Sequence, residues 1–244
     1  MKEFARLQLG RLLRRLLAAN SRVLPSDSAP LLVLAPHADD ETLGCGALLA
    51  SRAARGTPTH VVFVSDSASA DWAPGQTRPA RAAHRRAEAL AALGFLGLPP
   101  ACADFLDAPD GDLDRLEADV RTRVLGALAE VLRRHRPARV LVPFLGGGST
   151  EHDAVFWLAR EACVLAGMSL QIWEYPVWAW WNPLRLRSQL LRRGENYRLA
   201  TAPWLDAKRR AWQAHASQAA ALPAALVAAA LAEHEFYFNR THLP

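Results

Sequence analysis

Two patterns alternate along the chain. Short, almost wholly apolar runs at Leu31–Ala35, His60–Ser65, Arg139–Phe144 and Leu170–Tyr175 have the length and continuity of strands covered on both faces. Between them lie longer stretches with helical spacing: Thr42–Arg55, closed by Gly56 as a C-cap; Pro79–Leu93, stopped by Gly94; Leu113–Arg136, running into Pro137; and Glu151–Ala166. Asp104–Leu106 reads as a further short strand before the turn Pro109-Asp110-Gly111. Strands separated by helices predict an α/β fold, a Rossmann-like, mostly parallel sheet with helices on both faces, built from right-handed crossovers. In such a sheet ligands sit outside the carboxyl ends of the strands. The loops after Ala35, Ser65, Leu106 and Phe144 are therefore where chemistry is expected.

The two ends of the chain differ from this core. Phe4–Ala19 sets Leu7, Leu9, Leu12, Leu13, Leu16 and Leu17 among Arg6, Arg11, Arg14 and Arg15, an amphipathic helix with a cationic face. Two readings of it stay open: packing on its own domain or on a partner subunit of a homo-oligomer, and peripheral contact with an anionic membrane. Val23–Pro30 is a polar, proline-bounded connection. From Pro176 onward the chain carries Trp178, Trp180, Trp181, Trp204 and Trp212 and two alanine-rich helical segments, Asp206–Ala221 and Ala224–Glu235, which together read as a helical, tryptophan-rich C-terminal extension. Its aromatics serve as core or stack on a sugar or nucleobase. The expected division is 1–29, an N-terminal helix and linker; 30–175, the catalytic core; and 176–244, an extension packed on that core, with one domain overall.

Composition narrows the class without choosing an activity. In 244 residues, 51% hydrophobic content excludes disorder, and three cysteines exclude a disulfide scaffold. The longest uncharged apolar stretch, Ala219–Ala232, is broken by Pro223 and falls short of the roughly 18 residues of a membrane span. Arginines interrupt the N-terminal leucines, so no secretory signal is read and a cytoplasmic location is expected. The net charge of +5 comes from arginine, since lysine occurs only at Lys2 and Lys208. No basic stripe with interleaved aromatics accompanies it, so nucleic acid is not an expected partner. An arginine excess does suit an anionic group on a small-molecule substrate.

The first strand runs straight into Pro36-His37-Ala38-Asp39-Asp40-Glu41. So many ionisable groups at the mouth of a buried strand are costly unless they bind something, and a metal ion offsets that cost. His37 and Asp40, at i and i+3 across a strand-to-helix turn, can aim a nitrogen and an oxygen at one ion, leaving Asp39 as a base. The competing reading has Asp39 or Asp40 capping the helix that follows. A second polar insertion, Ser149-Thr150-Glu151-His152-Asp153, follows Gly146-Gly147-Gly148 at the end of another expected parallel strand. His152 would complete a His/Asp/His set suited to Zn²⁺ or another divalent ion such as Fe²⁺, with positions left for water and substrate. Alone, the glycine loop could instead be an anion nest.

These residues resemble a known family. Pro36–Glu41 is similar to the P-H-P-D-D-E motif of the PIG-L or LmbE-like zinc N-deacetylases, which remove acetyl from N-acetylglucosaminyl conjugates. The resemblance runs from Leu31 to about Ala166, through an R-x-x-E segment (Arg85, Glu88), a Leu93-Gly94 step and a D-G-x-L turn (Asp110, Gly111, Leu113). In the tail, Lys208, His215, Ser217 and Gln218 resemble the K-R…A-H-x-S-Q stretch of some bacterial members. The resemblance implies His37, Asp40 and His152 as metal ligands, Asp39 as general base, Arg85 and Asp110 as substrate-binding groups, and an N-acetylated amino-sugar conjugate as substrate.

Two positions depart from the family pattern. Ala38 stands where proline is usual and removes no reactive group. Ser149 stands where a histidine helps to stabilise the oxyanion, a donor worth about 3–4 kcal/mol. The replacement is sought in the Ser149 hydroxyl, the backbone amides of Gly147–Ser149, His84 or His215. The departure leaves open a second function, a weakly active or non-catalytic carbohydrate or nucleotide-sugar binding protein that keeps the metal site. A third, a phosphate binder using the glycine loop, would leave Pro36–Glu41 unexplained.

Overall fold

The computed structural model describes residues 2–69, 74–191, 195–219 and 221–240, with side chains described from residue 8. Its elements are, in chain order, α1 (Lys2–Ala19), β1 (Arg22–Val23), β2 (Leu31–Ala35), α2 (Asp40–Ala54), β3 (Thr59–Ser65), α3 (Arg78–Phe95), β4 (Ala103–Ala108), α4 (Ala118–His135), β5 (Arg139–Pro143), α5 (Thr150–Ala166), β6 (Gln171–Tyr175), β7 (Asn196–Ala200), α6 (Leu205–Ala214), α7 (Ala224–Ala230) and β8 (His234–Asn239). The strands form one sheet in the order β1-β7-β8-β6-β5-β2-β3-β4. β2 pairs in parallel with both β3 and β5, so the chain winds outward from β2 in two directions. A crevice opens at the carboxyl ends of β2 and β5, where that reversal occurs.

Alternation along the central strands builds two cores. Leu31, Val33 and Ala35 face α2, α3 and α6, whereas Leu32 and Leu34 face α4 and α5. The fold is thus the expected Rossmann-like α/β sheet, with helices on both faces.

Beyond Pro176 the sheet continues. β7 and β8 join it, and β8 runs antiparallel to both β6 and β7. The helical reading of Ala224–Glu235 therefore holds only to Ala230, and Glu235 lies in a strand. The run Phe236-Tyr237-Phe238 is buried at all three positions, and its aromatics favour a pleated, covered surface over a helix. The other alanine-rich segment is helical over Leu205–Ala214 and then breaks into a short 3₁₀ turn. Trp180 and Trp212 are buried in the core, while Trp178 borders the cavity described below.

The Leu113–Arg136 helix begins only at Ala118. Glu151 Oε1 accepts the backbone N–H groups of Gly111 and Leu113 at 2.8 and 3.2 Å, which ties residues 111–113 to α5 as a loop. α1 packs Leu17 against Phe144, Leu186 and Phe236. Among the described residues, no helix is long and apolar enough to cross a membrane.

The helix bearing the Asp-Asp-Glu run is fixed by a buried ion pair. Lys208 Nζ donates to Leu43 O at 3.0 Å and to Glu235 Oε1 at 2.6 Å, and the Glu235 carboxylate accepts the N–H groups of Ala47 and Leu48. Lys208 and Glu235 thus hold α2 to α6 and β8. A side chain at Gly44 would collide with the Tyr175 ring, and one at Gly46 would meet Lys208, which is why the first turns of α2 read Gly-Cys-Gly.

Candidate active site

β2 ends at Ala35, and the turn that follows delivers His37, Asp39 and Asp40 to the crevice. β5 and the glycine loop deliver His152 to the same place. His37 Nδ1 and His152 Nε2 each lie 3.3 Å from Asp40 Oδ2. On its other edge, His37 Nε2 lies 3.1 Å from Asp110 Oδ1 and 3.0 Å from Glu151 Oε2, so its proton belongs on that side, between two carboxylates. The Nδ1 lone pair then faces the Asp40 carboxylate. His152 Nε2 is buried and makes no hydrogen bond. His37, Asp40 and His152 each offer one ligand atom, all within 4.8 Å of one another. Three electron-pair donors so close, Asp40 and His152 buried and His37 half-buried, repel unless a cation or a proton lies among them. The donor set and the unpaired His152 nitrogen fit a divalent ion.

The charge states follow from these neighbours. Burial opposes charge on His37, but hydrogen bonds to Asp110, Asp40 and Glu151 outweigh it and hold the imidazole well above its ordinary pKa. Burial likewise acts to raise Asp40, yet His152 and His37 keep it well below the usual carboxylate range. Asp39 differs. Burial pushes it up to about 6, with Arg85 pulling it down and Asp40 pushing it up.

Asp39 occupies the N-cap position of α2, but its side chain makes no capping hydrogen bond. Its backbone has φ of 147°, a conformation that side chains rarely adopt and that costs on the order of 1–3 kcal/mol. The turn is held in place by Glu41 Oε2, which accepts the Asp39 N–H at 2.9 Å, and by Ser67 Oγ, which accepts the Ala38 N–H at 2.9 Å. The capping alternative thus fails for the Asp39 carboxylate, which is free to face the cavity.

Arg85 and Asp110 turn inward. Arg85 is buried; it donates to the Ala38 carbonyl and to Asp39 Oδ2, the latter at 3.3 Å, and its other nitrogen reaches Ser217 Oγ. It therefore positions the Asp39 turn, although its side chain also borders the cavity. Asp110 holds His37 and accepts the Ser69 N–H at 2.8 Å. Ser149 is the N-cap of α5, its Oγ accepting the His152 N–H at 3.4 Å, and it too lines the cavity.

Of the other candidate oxyanion donors, the backbone of Gly148 and Ser149 borders the cavity, whereas the two histidines do not. His84 sits by Glu88 at 3.2 Å, and His215 lies beneath the floor, with Nε2 3.0 Å from Glu41 Oε1. Two amides of the glycine loop are already engaged. Gly146 N–H is taken by Asp153 and Gly147 N–H by the Phe144 carbonyl.

Sequence reasoning does not select Glu151 as a site residue, although its place beside His152 in a polar insertion marks it. The tail motif acquires a meaning too: Glu88 accepts the N–H and O–H of Ser217, and Gln218 borders the cavity. That cavity, about 560 Å³, is walled by Asp39, Asp110, Asp114, Glu151, Val177 and Trp178 among others. Its arginines are already paired, Arg85 with Asp39 and Arg115 with Asp112, so the surroundings are acidic. Among the described residues of this wall, each arginine has a carboxylate partner, the exposed Arg115 in a surface pair.

A second His/Asp/His cluster stands at the opposite end of the sheet. His60 Nε2 lies 2.9 Å from Asp104 Oδ2, but His135 stacks on His60 with 3.8 Å between ring centroids and 24° between planes. In-plane lone pairs of stacked rings run side by side instead of converging. Arg134, 3.6 Å from Asp104, adds a competing charge.

The profile of the family described as PIG-L, GlcNAc-PI de-N-acetylase, matches residues 32–163 of the chain. No curated protein sequence matches it. Among solved structures, the 4-carboxy-2-hydroxymuconate hydratase GalB of Pseudomonas putida KT2440 is similar at 22% identity and a TM-score of 0.67, over 88% of this chain and 97% of that one. A conserved protein of Thermus thermophilus is similar at 25% identity and a TM-score of 0.64, over 87% and 94%. The N,N'-diacetylchitobiose deacetylase of Pyrococcus horikoshii is similar at 20% identity and a TM-score of 0.63, over 90% and 80%. A hydratase and a deacetylase share this fold, so the site and not the sheet must choose the reaction.

Proposed function

The chain belongs to the PIG-L family, and on that premise we propose that it is a metal-dependent hydrolase that removes the acetyl group from an N-acetylated amino sugar or related conjugate. The observation that carries this reading is the convergence of His37, Asp40 and His152 on one point, with the uncapped Asp39 carboxylate beside it at the cavity wall. His37, Asp40 and His152 would hold the ion, Zn²⁺ or another divalent cation such as Fe²⁺. A cation there would supply an activated water and polarise the amide carbonyl.

The chain's own residues do the rest. Asp39 takes the proton of the attacking water and returns it to the departing amine, so one water and one amide become acetate and a free amine. Glu41 and Arg85 hold Asp39 in that position, and Arg85 favours its ionised form. Asp110 and Glu151 fix the His37 ring so that Nδ1 faces the ligand point. The Ser149 hydroxyl borders the cavity and is the side chain placed to donate to the developing oxyanion, while its lone pair caps α5.

Metal analysis together with amine release from acetylated amino-sugar conjugates tests the proposal. Wild type is expected to carry an ion and release amine. Asp39→Asn is expected to keep the ion and lose about 10²–10⁴-fold in turnover. Normal turnover by that variant overturns the general-base assignment.

One observation favours a second reading. With Ser149 serving as the cap and no histidine in its place, the protein could bind such conjugates through the same metal site and turn them over weakly. Calorimetric binding of an intact conjugate by wild type without amine release would support it.

A further inference from the structure

The catalytic cavity does not end at the metal-ligand cluster. Asp114 and Thr150 border both this cavity and a second one of about 370 Å³, which is lined in addition by Leu113, Arg121, Asp153 and Trp157. The two adjoin at these shared residues, the second lying along the outer face of α5. Thr150, Asp153, Ala154 and Trp157 share that face at helical spacing, which places Trp157 roughly 10 Å along the axis from Thr150. The Trp157 ring is 48% exposed, with Phe156 against its edge at 5.2 Å and Arg160 5.5 Å from its centroid.

The charges of this groove select among ligands. Arg121 is held by both carboxylate oxygens of Glu161, at 2.5 and 2.6 Å, so its charge is neutralised from outside. Asp114 and Asp153 remain as carboxylates facing the groove. Carboxylates accept hydroxyl protons and repel anions, and an indole face packs against the C–H face of a saturated ring. Phosphate-bearing groups are therefore disfavoured, and a neutral, hydroxyl-rich ring is favoured.

We propose that the groove between α5 and the Asp114 loop is a subsite for a second, neutral sugar ring, with Trp157 as its platform and Asp114 and Asp153 as hydroxyl acceptors. Resting on the function proposed above, the inference makes the substrate at least a disaccharide, with the acetamido ring at the metal-ligand cluster and the adjoining ring over Trp157. Asp114 and Thr150, which this cavity shares with the metal-ligand site, favour this occupant over a second copy of the chain.

The test compares amine release from N-acetylglucosamine, from a disaccharide with N-acetylglucosamine at its non-reducing end and a neutral second ring, and from N-acetylglucosamine 1-phosphate. Wild type is expected to prefer the disaccharide over the monosaccharide by about 10-fold in kcat/KM and to show no preference for the phosphate. Trp157→Ala should erase most of that preference, mainly through KM, and Trp157→Phe should restore part of it. Val164→Ser, exposed on the same helix outside the groove, should leave it intact.

An undiminished preference in Trp157→Ala, or a preference for the phosphate, overturns the subsite. So does a change from dimer to monomer in sedimentation of Trp157→Ala with the preference unaltered, which would make the ring a subunit contact. If no substrate is hydrolysed, the activity fails by itself. The subsite is then read from disaccharide binding, followed by tryptophan fluorescence, which must be tighter in wild type than in Trp157→Ala or the subsite falls as well.

Discussion

The two ends of the central sheet carry the same trio of residue types and do opposite things with them. At the carboxyl ends of β2 and β5, His37 and His152 tilt at 36° with 5.6 Å between ring centroids and aim nitrogens at one carboxylate oxygen. At the amino ends of β3 and β4, His60 and His135 lie nearly parallel at 3.8 Å beside Asp104. The first arrangement crowds lone pairs at a point and asks for a cation. The second spends its polarity on a hydrogen bond and a stack. Composition is therefore a poor guide to a metal site; the direction of the donor atoms decides.

Substitutions can break or sharpen this contrast. The largest effect is expected for His152→Ala, which removes a buried nitrogen that faces Asp40 Oδ2 at 3.3 Å. Bound metal should fall from one per chain to near zero and amine release to the level of a protein-free control, as followed by elemental analysis and amine assay. Metal fully retained would show that the trio is not the ligand set.

Next comes Glu151→Gln. It keeps the size of the group that steadies His37 and the 111–113 loop but removes its charge, and it should weaken metal affinity by about 10–100-fold in a chelator competition. An unchanged affinity would mean that Asp110 alone sets the His37 ring.

A smaller change is expected from Arg85→Gln. Asp39 must be ionised to take a proton, so kcat/KM should fall as pH drops through its pKa. Burial pushes that pKa up to about 6 and Arg85 pulls it down; a bound cation would pull it down further. Loss of the guanidinium should move the acid limb upward by about one pH unit. A limb that stays in place would remove Arg85 from the setting of the base.

The smallest effect belongs to the other end. His135→Ala should leave metal content and turnover unchanged and lower Tm at neutral pH by roughly 2–4 °C. Burial depresses the pKa of both His60 and His135, helped by repulsion from His135 at the first and from Arg134 at the second. Each ring's share of stability is thus present above the unfolded value near 6.5 and lost as pH falls. The variant should lose less Tm than wild type on acidification. A loss of bound metal in His135→Ala would make the second cluster an ion site and erase the contrast.

The strands at Leu31, His60 and Arg139 and the helices between them could be read from the sequence, because a doubly covered parallel strand is apolar at nearly every position. The same reasoning brought His37, Asp40 and His152 to one crevice, where the structure also has them together. An i, i+3 pair in one strand-end turn and a histidine at the next can meet only if the two strands are neighbours, and β2 and β5 are. β7 and β8 were not legible. Alanine-rich sequence before β8 supports a helix locally, and pairing of all three residues with β7, and of Phe238 with β6, holds Phe236-Tyr237-Phe238 extended.

Residue identity and spacing thus determined the layered α/β core, the Asp-rich turn and the crevice in which they work. Tertiary structure decided what each charge is for. Arg85, expected to bind substrate, pairs with Asp39; Asp110, given the same task, lies against His37; and Glu151, in sequence only an acidic neighbour, contacts that same ring, while Arg85 and Asp110 still border the cavity. It also decided how the donor atoms of the two His/Asp/His trios are oriented and which tryptophans border cavities. The physical reason is that periodicity reports which side of an element is buried, whereas donor direction and partner choice arise only when remote segments are packed together.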